Sequence, residues 1–215
     1  MSDLNMQIVR EFFELRLYHV LTHWQHDDQA PRSADPGTLL FVEPRHTENE
    51  ALPDFLLQRE HLSHIPRSVV DIRAWHGDRF YPSVVEANPI LGRVASPETH
   101  DLGQSIFGTD EFNTLLVISE LPQSHDPRQR ALACLQDLGL DHVIEFPTLL
   151  TDMIQRITPH GHYTASPTLQ LLRLLKRYDF IKRQQMEFPF SVEPRESKVV
   201  PEVEATQVDA EREED

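Results

Sequence analysis

One stretch of this chain constrains its fold more than any other. Residues 114–121 read TLLVISEL, an apolar run with the length of a buried strand. Asp126 and Pro127 follow as an N-cap and first-turn pair, and a helix is predicted over 127–138. Gly139 suits the left-handed residue that closes a helix, and HVIEF at 142–146 reads as a second strand. Strand, capped helix, glycine and strand are the parts of a parallel crossover, which places the chain in the α/β class.

The flanking sequence extends that pattern. Leu4, Ile8, Phe12 and Leu15 recur at helical spacing, with Val9 and Phe13 widening the apolar arc, so 4–16 is predicted as an amphipathic helix. Residues 17–24, 37–44 and 68–75 read as strands, and 52–65 as a short helix. The stretch 82–107 is predicted as helical pieces broken at Pro89 and Pro97, and 148–157 as a further helix. The expected architecture is three-layered, a mixed sheet with helices on both faces.

Several chemistries lack their motifs. The seven glycines form neither GxGxxG nor GxxxxGK[ST], and no GxSxG is present. Cys134, the only cysteine, lies mid-helix in ALACLQ and reads as a buried structural thiol. Twelve histidines invite a metal reading. However, His19, His23 and His26 fall on or beyond a strand, where residues four apart are separated by ~13 Å. His61 and His64 lack a third ligand nearby in sequence, and His160 and His162 fall in a predicted loop, so surface histidines are the expectation.

The pair Asp71 and Arg73 is more informative. Two apart on a predicted strand, they share one face. Such a pair can form an ion pair at the sheet surface, or hold a divalent metal and a phosphate. Glu11, at the border of the first helix's apolar arc, is placed to reach the sheet. This order of elements, with Glu11 on the helix and Asp71-Ile-Arg73 on the strand, resembles the restriction-endonuclease-like PD-(D/E)xK superfamily over about residues 4–146. The resemblance implies that Asp71-Ile-Arg73 occupies the (D/E)xK strand. The family's preceding Asp falls near Thr38, three residues from Asp35 and well before Glu43, and its Lys is replaced by Arg73. A guanidinium holds phosphate but is too weak an acid to help activate water. The implied site is therefore a degraded nuclease site: Glu11, Asp71 and Arg73 as its catalytic residues, and Glu11, Asp35 and Asp71 as metal ligands if it is active. IRAWHGDRFYPSVVEANP and YTASPTLQLLRLLKRYDF also resemble segments of uncharacterised bacterial proteins, which implies no function.

The C-terminal part carries two more signals. Ser166 and Pro167 open a predicted helix running to about Tyr178. Leu171, Leu172, Leu174, Leu175 and Tyr178 form its expected apolar face, and Arg173, Lys176 and Arg177, followed by Lys182 and Arg183, an expected phosphate-contacting patch. Gln185, Met186, Phe188 and Phe190 then resemble the hexapeptide by which bacterial proteins dock on the DNA sliding clamp. The net charge is −15, of which 191–215 supply nine acids against three bases and leave −9 on the rest. That balance disfavours nucleic-acid binding by the whole surface, and the tail's composition predicts disorder. The expected organisation is a nuclease-like domain at 1–165, a basic helix at 166–184, and a peptide motif with an acidic tail at 185–215.

No signal-peptide pattern opens the chain and no apolar run has membrane-spanning length, so the expected location is the cytoplasm, without a membrane partner. The function expected first is a non-catalytic nuclease-fold binding module in DNA maintenance, free of cofactors, with DNA and a sliding clamp as partners. Two alternatives stand beside it: a Mg²⁺- or Mn²⁺-dependent nuclease, and a protein-interaction module unrelated to nucleic acid.

Overall fold

The computed structural model describes residues 3–22, 39–45, 52 and 54–181. The chain divides into two units, Met1–Arg183 and Gln184–Asp215, and every described residue belongs to the first. The expected loop at 26–36, the hexapeptide and the acidic tail lie outside the described residues.

The first helix, α1 (Asp3–Leu15), buries Ile8, Val9, Phe12 and Phe13 of the arc its sequence periodicity predicts, while Leu15 is partly buried and Leu4, at the helix start, is exposed. Leu17 turns the chain with a positive φ of 64° into β1 (Tyr18–Thr22). The next strands are β2 (Leu40–Pro44) and β3 (Ser68–Arg73). Where a helix was expected over 52–65, the described residues hold only a five-residue 3-10 helix, Arg59–Ser63. After β3 come α2 (Pro82–Glu86), the 3-10 helix Pro89–Ala95 and α3 (Pro97–Phe107), divided at the two prolines. Gly103 of α3 lets the Phe112 ring pass: a Cβ there would lie 2.5 Å from the ring's Cζ.

The crossover then runs through β4 (Asn113–Ile118), α4 (His125–Gln136) and β5 (His142–Glu145). The helix starts two residues before the predicted Pro127, with Ser124 at its N-cap and Asp126 in its first turn. Pro127 still falls where a backbone N–H lacks an intrahelical partner. Gly139, at φ +78°, makes the left-handed turn toward β5. The last helices are α5 (Phe146–Arg156) and α6 (Pro167–Arg177).

The five strands form one sheet in the order β1-β2-β3-β4-β5. β1 and β2, and β2 and β3, pair antiparallel; β3 and β4, and β4 and β5, pair parallel. Strand alternation divides the core into two layers. Leu40, Val42, Val70, Ile72, Leu115, Val117 and Ile144 meet α1, α5 and α6 on one face. Phe41, Val69, Leu116, Ile118 and Val143 meet α2, α3 and α4 on the other. The chain is thus a mixed α/β fold with helices on both faces of its sheet. Residues 55–57 cover the outer edge of β5: the Leu57 N–H donates to the Val143 carbonyl, and the Val143 N–H to that of Phe55.

The burial of α6 differs from its sequence pattern. Leu169 is buried and Leu172 packs on the core, while Leu171 and Tyr178 are 57% and 65% exposed. Helical periodicity identifies an apolar stripe but not which edge of it the rest of the fold covers.

Candidate functional site

Asp71 and Arg73 come from β3, whose six residues are all buried. Alternation with Val69 points both toward the α2–α4 face. Their side chains are fully enclosed, and Arg73 Nε donates to Asp71 Oδ2 at 3.0 Å. Asp71 Oδ1 has no hydrogen-bond partner among the described residues. Burial pushes the Asp71 carboxyl up, against the opposing pull of the Arg73 and Arg93 charges.

Glu11 sits on the opposite side of the sheet, because α1 packs against the Val70 and Ile72 layer. Its Oε1 accepts from Gln7 Nε2 at 3.0 Å and from the Ser166 hydroxyl. Glu11 and Asp71 are therefore not brought together. Glu43, at the far end of β2, accepts from the Arg67 guanidinium. Asp35 and Thr38 lie outside the described residues, and among those described no three His, Cys, Asp or Glu side chains are grouped to hold a metal ion.

Two of the basic side chains of α6 have structural partners. Lys176 Nζ donates to the carbonyls of Ile154 at 2.6 Å, Gln155 at 3.2 Å and Ile157 at 2.6 Å, closing the C-terminal end of α5. Arg173 Nη1 reaches the Pro159 carbonyl at 3.4 Å. Arg177 is exposed, and Lys182, Arg183, Gln185, Met186, Phe188 and Phe190 lie outside the described residues.

The histidines serve several local roles. His61 accepts from the Gln58 N–H and lies 3.4 Å from Asp54. The exposed His76 contacts Asn5 at 3.1 Å and meets the Phe146 ring edge-on. The buried His142 bonds through Nδ1 to the Asp54 carbonyl and through Nε2 to Asn113, both at 3.0 Å. Cys134 is partly exposed rather than buried, because its side of α4 only grazes the core. Burial and the nearby Glu86 and Asp137 carboxylates raise its pKa, so little thiolate forms.

The sequence pattern missed the meeting of Ser166 with Glu11, 155 residues apart. Ser166 announces itself only as an N-cap, a role it also fills by accepting from the Leu169 N–H at 3.0 Å. No local spacing links an N-cap to a helix at the other end of the chain. No protein-family profile, curated protein or solved structure matches the chain. No helix among the described residues is long and apolar enough to cross a membrane.

Proposed function

We propose that this chain is a non-catalytic binding module on a restriction-endonuclease-like sheet, acting in DNA maintenance through the sliding-clamp hexapeptide of Gln185, Met186, Phe188 and Phe190. The sealed Asp71–Arg73 pair supports the non-catalytic reading: both side chains are 0% exposed and neutralise each other, so neither is presented to a substrate. Glu11, on the opposite layer, supplies no second carboxylate to that pair. The clamp part rests on the sequence pattern. A protein partner is favoured over a phosphate cleft by the engagement of Lys176 and Arg173 with backbone carbonyls.

Two measurements test this reading. The full chain should leave single- and double-stranded DNA intact with Mg²⁺ or Mn²⁺. Metal-dependent cleavage abolished by Asp71→Asn would reinstate the nuclease alternative. A peptide of residues 181–192 should bind the host's clamp with micromolar affinity, about −8 kcal/mol. Phe188→Ala combined with Phe190→Ala should abolish clamp binding by the full chain, and undiminished binding by that variant overturns the docking role.

A further inference from the structure

A cleft of about 500 Å³ lies between α1 and the connection from α5 to α6. Gln7, Arg10, Glu11 and Glu14 line it from one side, His162 and Ser166 from the other. Its volume is in the range that small-molecule sites occupy. Glu14 is half-exposed and paired with Arg10 at 2.7 Å, so those two charges offset each other.

Glu11 differs from both. It is only 5% exposed, and no basic side chain among the described residues pairs with it. Its Oε1 is engaged by Gln7 and Ser166, two further residues of the cleft. Its Oε2 is shielded from solvent and has no hydrogen-bond partner among the described residues. A carboxylate removed from water with one oxygen unmatched is costly, and a donor carrying positive charge offsets that cost best. Metal ions are poorly served, since divalent cations gather several oxygen ligands and no three His, Cys, Asp or Glu among the described residues are grouped to hold one.

We propose that this cleft binds a small organic cation, an alkylammonium or guanidinium, held beside the Glu11 carboxylate by its charge. This site is separate from the Asp71–Arg73 pair, which lies on the other face of the sheet.

The test titrates the full chain with agmatine, which carries both cationic groups, by calorimetry and by amide chemical shifts. Saturable one-site binding is expected, with Kd of millimolar order. The neutral 1,4-butanediol should not bind. Glu11→Gln keeps the side chain's shape and removes its charge, and should weaken agmatine by about tenfold or more. Thr164 also lines the cleft, so Thr164→Lys tethers an ammonium beside Glu11. That variant should lose agmatine binding and melt at a higher temperature, which decides the matter even if Glu11→Gln fails to fold. No saturable binding up to roughly 30 mM overturns the proposal. Equal binding of the diol, or unchanged agmatine affinity in either variant, overturns it as well.

Discussion

Replacing Asp71 with Ala would leave the Arg73 guanidinium enclosed with the carboxylate at 3.0 Å removed. Losing one partner of a buried pair costs about 3–5 kcal/mol, whereas replacing both by apolar residues of similar volume is often neutral or stabilising. Asp71→Ala should therefore lower the urea midpoint sharply, and Asp71→Leu with Arg73→Met should recover most of it. A double variant as unstable as the single one would show that the pair has a role beyond neutralising itself. His142 offers a second measurement at this scale. A neutral ring donates from Nδ1 to the Asp54 carbonyl and accepts at Nε2 from the Asn113 amide. Protonation would set a second N–H against that amide, and burial already lowers the imidazole's pKa. A depressed folded pKa means the unfolded chain takes up the proton first as pH falls. The contribution is thus intact above the unfolded value of about 6.5 and is lost as pH falls from there through the lower folded value. Stability should decline over that window more steeply in the native chain than in His142→Asn, as read by denaturant midpoints from about pH 7.5 to about 5. Equal slopes would assign the decline to other groups.

At the scale of elements, Lys176 joins α6 to α5 by placing a cation among the carbonyls that end the earlier helix. Lys176→Met keeps the aliphatic stem and removes the ammonium, and should cost roughly 1–2 kcal/mol in thermal or denaturant unfolding. An unchanged midpoint with weakened DNA binding would instead make this residue a phosphate contact. The contrast with sequence reading is physical. The crossover from β4 through α4 to β5 was legible because its signals are local: an apolar run, a first-turn proline, a glycine at φ +78°. The use of Lys176 was not, because its partners lie 19 to 22 residues away on another helix. A basic cluster on a helix reads the same whether it faces phosphates or carbonyls. The shared face of Asp71 and Arg73 followed from strand alternation, yet their enclosure depended on α2 to α4 covering that face, which no spacing encodes. Glu11 was legible as a border residue of its helix, but its link to Ser166 was not.

At the scale of the whole molecule, strand order follows chain order. Each pairing therefore closes only the segment between sequence neighbours, which keeps the entropy of loop closure low. On a ribosome the sheet can extend one strand at a time, and each strand that arrives covers the open edge left by the one before. The strip at 55–57 is the exception. It is made before β3, yet its hydrogen bonds go to Val143 of β5, so it has no ladder to join until the last strand emerges. Without β5 those backbone groups lack the strand partner they have in the fold, and open backbone groups of that kind can pair with another chain. The stretch of chain from Phe55 to Val143 thus sets how long those backbone groups wait for their partner, and the wait ends when the final strand is sealed by a piece of chain made long before it.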